Sequence, residues 1–184
     1  MKKVLLLTIS IFLISIAQMA LAYETVIVPF PPNDMWHPVL HQKRGNEAIL
    51  LYVPNGQTRN NWTRGLFFHS YKSSARSVAQ VLSTSVNEMT LLNSSQQYEY
   101  LKYTPENVMV TRCITKNKYT PSQCEIFRVA KSFDGVITMH YINKNNKDFH
   151  QNFEQWMHII DDIRIYQSYF RDNRVLDKEL QFEI

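Results

Sequence analysis

The chain has 184 residues, 20 Lys+Arg against 16 Asp+Glu, and a formal net charge of +4. Lys2 and Lys3 lie in an N-terminal leader, so the remainder is nearer neutrality, and with no long basic run nucleic acid is not an expected partner. Only 4 Gly occur, too few for a nucleotide-cradling glycine loop, whereas 10 Tyr, 10 Phe and 3 Trp supply rings that fill cores and line recognition surfaces.

Met1-Lys2-Lys3 is a short positive segment. Val4 to Ile16 is an apolar run broken only by Thr8, Ser10 and Ser15, and Ala20-Leu21-Ala22 is a small-residue exit. That order is the pattern of a cleavable bacterial-type secretory signal over residues 1–22. The apolar run, about 13 residues, is short of the roughly 20 that a spanning helix needs. No cysteine near the junction can carry a lipid, and no second apolar run of spanning length follows. The expected product is a single exported α+β domain, residues 23–184, periplasmic or secreted, with no transmembrane segment after cleavage.

Within that domain, residues 23–46 read as irregular, with a short strand at Val26 to Phe30, because Pro29, Pro31, Pro32 and Pro38 oppose long regular structure. Glu47 to Val53 reads as a buried strand. Pro54-Asn55-Gly56 is a turn in which proline presets the first torsion, and Trp62 to Tyr71 is the partner strand. Ser73 or Ser74 is expected to cap a helix whose apolar face is Ala75, Val78, Ala79, Leu82, Val86 and Met89, ending near Leu92-Asn93-Ser94-Ser95. Tyr98 to Tyr103 reads as a short strand or edge. Val108 to Thr115, Gln123 to Ala130 and Gly135 to Ile142 follow as strands, the last starting at an Asp134-Gly135 turn. A polar loop, Asn143 to Asp148, leads to a helix with the stripe Phe149, Phe153, Trp156, Ile160 and Ile163. The tail after Tyr166, residues 166–184, carries Tyr169, Phe170, Val175 and Leu176 and suits a further short helix. The expected class is α+β: a mainly antiparallel sheet of about five strands covered by two principal helices.

The two cysteines are Cys113 and Cys124. In an oxidising compartment an isolated pair is most simply a disulfide, here across two antiparallel strands. A redox pair normally places its cysteines two residues apart, and zinc needs further ligands nearby.

Tyr52-Val53-Pro54-Asn55-Gly56-Gln57-Thr58, followed by Asn61-Trp62-Thr63, resembles a signature of small exported bacterial proteins of uncharacterised function. The late cysteine pair and a terminal helix bearing Trp156 are similar too. The arrangement also resembles the PsbP-like α-β-α sandwich. The match covers about a dozen residues and implies a fold and no activity.

His37 and His41 are four apart, but Pro38 lies between them and no third ligand is evident, so no metal site is expected. His69 and His140 fall in strand patterns; His150 and His158 fall on the last helix. No Gly-x-Ser-x-Gly elbow or paired-carboxylate motif accompanies them, so no catalytic residue and no cofactor is assigned. Asp161-Asp162 is expected on the solvent face of the last helix, opposite Ile160 and Ile163, with a metal pair as the alternative. Arg59, Asn60, Asn61, Trp62 and Arg64 gather beside a tight turn and form the candidate ligand or partner surface, with Trp62 closing the core as the structural alternative. The expected function is non-enzymatic binding of an unknown protein or small ligand in host or envelope interactions. The alternative is a secreted hydrolase built on distant histidines, among them His69, His140 and the His37/His41 region.

Overall fold

The computed structural model describes residues 23–31, 35–72, 76–92, 98–116, 118, 120–168 and 180–183. The leader at 1–22, the expected cap at Ser73 or Ser74 with Ala75, the expected helix end at Asn93-Ser94-Ser95 and the tail at 169–179 lie outside the described residues.

Strands dominate. In chain order they are β1 (Tyr23–Val28), β2 (Trp36–Arg44), β3 (Glu47–Pro54), β4 (Arg64–Tyr71), then helix α1 (Val78–Leu92), β5 (Glu99–Thr104), β6 (Asn107–Ile114), β7 (Gln123–Lys131), β8 (Val136–Asn143), the helices α2 (Asn146–Gln151) and α3 (Phe153–Asp162), β9 (Arg164–Ser168) and β10 (Leu180–Glu183). Seven strands form one antiparallel sheet in the order β2-β3-β4-β8-β7-β6-β5, and β10-β1-β9 form a second, also antiparallel.

This overturns the expectation of about five strands under two principal helices. The prolines misled. Pro38 sits on β2, an edge strand with a register shift between Pro38 and Leu40, and edges and bulges are where a strand accommodates a residue without an N–H. The turn that folds β2 onto β3 is Gly45-Asn46, with Gly45 at φ 57°, a two-residue hairpin with glycine first. The residues just after Ile163 form β9, and Leu180–Glu183 forms β10, so both add to sheet.

Local chemistry sets the other boundaries. The turn after β3 closes through Gln57 N–H to Pro54 carbonyl (3.1 Å) with Gly56 at φ 81°, so proline leads the turn and glycine takes the left-handed position. The turn before β8 is a four-residue loop, closed by Ser132 N–H to Gly135 carbonyl and by Gly135 N–H to Ser132 Oγ, not a tight Asp-Gly turn. Helix α1 starts on a capping box: Ser77 Oγ accepts from Gln80 N–H (3.2 Å) and Gln80 Oε1 from Ser77 N–H (2.9 Å). The terminal helix is two helices because Asn152 leaves helical geometry (φ −112°, ψ 12°) and its side-chain amide donates to Asp148 carbonyl at 2.9 Å.

Strand alternation gives the large sheet two faces. Leu50, Tyr52, Leu66, Phe68, Met109, Ile126, Ile137, Met139 and Tyr141 join Phe149, Trp156, Ile159 and Ile160 of α2 and α3, with Val26 and Val28 of β1, in the main core. Val108, Val110, Phe127, Val129 and Val136 meet Val78, Val81 and Leu82 of α1 on the opposite face. Helices therefore lie on both faces. The end of α3 is held by Arg128, whose Nη1 donates to the carbonyls of Ile160 (2.8 Å), Asp161 (3.0 Å) and Ile163 (3.0 Å). Those carbonyls have no intrahelical donor. Arg128→Met leaves them without this one and should lower stability by about 1–3 kcal/mol, read as a drop in urea midpoint at unchanged slope.

Candidate functional site

Helix α1 packs on β6 and β7. On the same face, the half made by β3, β4 and β8 carries Ile49, Phe67, His69, Tyr71, His140 and Ile142, all half-buried. Period-two alternation puts Phe67, His69 and Tyr71 in a row along β4, and pairing sets Phe67 opposite His140. The rings touch: His69 lies 3.9 Å from Tyr71, Phe67 is edge-on to His140 at 5.6 Å, and His140 stacks on Phe127 at 4.1 Å. The result is a strip of sheet floored by rings, a groove only in that α1 rises along one side of it. At its α1 end a cavity of about 440 Å³ is lined by Tyr71, Arg76, Gln80, Val81 and Thr84.

Each floor histidine is held by a glutamate. His69 Nε2 is 3.4 Å from Glu47 Oε2, and Arg76 is 3.5 Å from Glu47 Oε1 while lying over Tyr71 at 4.6 Å. Burial lowers the His69 pKa against the opposing pull of Glu47, which favours the neutral imidazole. His140 Nδ1 is 3.3 Å from Glu125 Oε2, the other oxygen of Glu125 pairs with Arg112 Nη2, and Arg112 Nη1 donates to Tyr98 Oη at 2.8 Å. Tyr98 Oη in turn donates to Val86 carbonyl on α1 (3.4 Å). The Arg112 and Glu125 side chains are each 2% exposed. Burial pushes the Glu125 pKa up, but the hydrogen bond and charge of His140 and those of Arg112 together hold it below the ordinary range. Partly exposed imidazoles on carboxylates, 19% exposed at His69 and 15% at His140, can exchange hydrogen bonds with a ligand and stack against a planar one. The carboxylates of Glu47 and Glu125 are the hydrogen-bond partners of His69 and His140.

Trp62 stands at the other end of the groove. Its ring covers Gly65, where an added Cβ would come 3.1 Å from both Cε3 and Cζ3 of Trp62 and 3.1 Å from Leu51 Cδ1. Lys144 Nζ covers the ring at 3.4 Å and donates to Trp62 carbonyl at 3.0 Å. Gly65→Ala needs Trp62 and Leu51 to give by a few tenths of an ångström, and the expected cost is about 1 kcal/mol. A thermal melt reads it, and the penalty should shrink when Trp62→Ala is already present.

Of the other residues named from the sequence, Arg59, Asn60 and Asn61 lie on the exposed loop, where Asn61 Oδ1 accepts from Thr58 N–H (2.6 Å) and Thr58 Oγ1 (2.8 Å). Arg64 points to the opposite face, its guanidinium 5.9 Å from the Trp36 ring, so it does not join Trp62. His37 and His41 lie on edge strand β2. His158 is exposed on α3, and Asp161 pairs with Lys102 Nζ at 2.6 Å. Cys113 and Cys124 are disulfide-bonded between β6 and β7, beside exposed His150.

Sequence reasoning missed Glu47, Tyr98, Arg112 and Glu125. For two of them a signal existed. Pairing Cys113 with Cys124 across antiparallel strands fixes the register, and that register puts Arg112 opposite Glu125. A charge in each of two buried strands, aligned by the cysteines, announces an internal ion pair.

No curated protein and no solved structure matches the chain. A family model does, over residues 36–164, a span that runs from the start of β2 to the start of β9 and holds all the strands of the large sheet and the three helices among the described residues. The chain therefore belongs to that family, which is uncharacterised.

Proposed function

We propose that this protein is an exported binding module whose groove over β3, β4 and β8 takes a small ligand bearing a planar ring. The observation that carries this reading is the row Phe67, His69 and Tyr71 with His140: four half-buried rings on one face, with Tyr71 at the α1 end lining a cavity against that helix. Rings contribute contact area at little conformational cost, and the histidines and Arg76 supply hydrogen bonds for orientation. Export is supported by the leader pattern of residues 1–22 and by the Cys113–Cys124 disulfide, a bond that persists in oxidising compartments. No helix among the described residues is long and apolar enough to cross a membrane. Helices on both faces of the sheet support the likeness to the PsbP-like sandwich, which implies no chemistry.

The competing reading is a hydrolase in which His140, oriented by Glu125, acts as a base. One experiment separates the two. Two-dimensional NMR of the labelled protein is recorded with indole, 4-hydroxybenzoate and tryptophan, and the same sample is tested for turnover of chromogenic esters. The binding reading expects saturable shifts grouped on Phe67, His69, Tyr71 and His140, abolished by Phe67→Ala with Tyr71→Ala. Saturable ester hydrolysis that His140→Gln removes would replace it with the hydrolase.

A further inference from the structure

The disulfide lies on the other face of the sheet from the groove, and its two sulfurs are not equivalent. Cys113 is an exposed residue near the end of β6, whereas Cys124, directly opposite on β7, is fully buried. Exposed His150 of α2 brings an imidazole nitrogen to within 4.8 Å of both sulfurs. A cavity of about 380 Å³ opens beside them, lined by Cys113, His150, Glu99, Thr111 and Arg112 among others. A bond meant only to pin two strands needs neither an entrance nor a proton donor at its side. We infer that Cys113–Cys124 is a thiol-exchange site, in which a small thiol such as glutathione, or the dithiol of an oxidoreductase, couples to Cys113 and releases Cys124.

The step balances with the thiol as the only co-reactant. The incoming thiol gives its proton to solvent. Its thiolate pair forms a new bond to Cys113 Sγ, the Cys113–Cys124 bond breaks, and its pair goes to Cys124 Sγ. His150 stands beside that departing thiolate, where its ring N–H can donate a hydrogen bond to it, and a leaving sulfur stabilised in this way departs faster. With a dithiol, the second thiolate attacks the reagent's own sulfur, freeing Cys113 and leaving two thiols on the protein and a disulfide on the reagent. Burial of Cys124 sets the direction: the attacking sulfur reaches Cys113. The charged groups around His150 are Glu99 and Arg112 in the cavity and Lys147 and Glu154 on the helical stretches that flank it.

The test uses the oxidised protein under native conditions with reduced glutathione, quenched by acid and mapped by peptide mass. Glutathione is expected on Cys113 and not on Cys124, without loss of the fold by circular dichroism. His150→Gln, which keeps both cysteines and the bond, should slow adduct formation by about fivefold to tenfold. In urea, where the fold no longer holds His150 beside the bond, wild type and variant should react at the same rate. Equal rates for wild type and variant in the folded protein, or a difference that persists in urea, overturn the role given to His150. Adduct shared equally between the cysteines, or formed only once urea unfolds the chain, overturns the exchange site itself.

Discussion

Arg112→Met should destabilise the protein by about 3–5 kcal/mol, because it strands the Glu125 carboxylate in the sheet interior. Both side chains are 2% exposed, and the remaining partner of Glu125 would be His140 at 3.3 Å. Tyr98 also loses the donor to its hydroxyl, which itself donates to the Val86 carbonyl of α1. The double variant Arg112→Met, Glu125→Met should recover most of the loss, since two apolar side chains of similar volume need neither charge nor partner. That strong non-additivity, measured by urea unfolding, is what separates a buried ion pair from two independent packing residues. The same pair predicts acid sensitivity. Glu125 has a folded-state pKa below the 4.5 of the free side chain, so the unfolded chain binds the proton more readily. The stabilisation it contributes is complete above about pH 4.5 and is lost as pH falls from there through the folded-state value. Urea midpoints of the wild type should therefore fall between pH 5 and pH 3 more steeply than those of the double variant. Parallel pH curves would show that the pair carries no such linkage.

That pair also marks the boundary of what the sequence discloses. Elements whose signals are local were readable: the apolar run of β3, the turn at Gly56, and the stripe Phe149, Trp156 and Ile160 that the main core buries. Local signals were also present and outweighed. Gly45-Asn46 is a hairpin signature and Ser77-Val78-Ala79-Gln80 a capping box, yet the prolines and the serines upstream drew the boundaries elsewhere. Arg112 and Glu125 were one inference away once Cys113 and Cys124 were paired. The groove is different. His69 and His140 share a face only because β4 lies beside β8, with α1, β5, β6 and β7 between them in the chain. No periodicity within either strand encodes that adjacency, and the side that α1 leaves open depends on where a separate helix docks. Each histidine was visible as a residue, but their neighbourhood was a property of the assembled sheet.

Trp156→Ala is expected to cost about 3–5 kcal/mol, a large share of the 5–15 kcal/mol by which a domain of this size is stable. Trp156 is 1% exposed. Its ring lies parallel on Tyr141 of β8 at 4.0 Å and meets Trp36 of β2 edge-on at 5.3 Å, so one side chain joins α3 to a central strand and to the far edge of the sheet. Truncation leaves a void that fully buried Tyr141 and Phe149 cannot readily fill, because Tyr141 is bonded to the Asn143 amide at 3.1 Å and Phe149 is 1% exposed in a packed cluster. The penalty is thus the lost transfer energy with most of the cavity term added. Trp156→Phe retains a ring over Tyr141 and should cost only about 1–2 kcal/mol. Near-ultraviolet circular dichroism should weaken in both, more in the alanine variant. Because the same cluster includes Val26 and Val28 of β1, losing Trp156 should lower one cooperative urea transition at unchanged slope. Two separate transitions would instead mean that α3 and the small sheet form a cover that detaches on its own from a large sheet already stable without them.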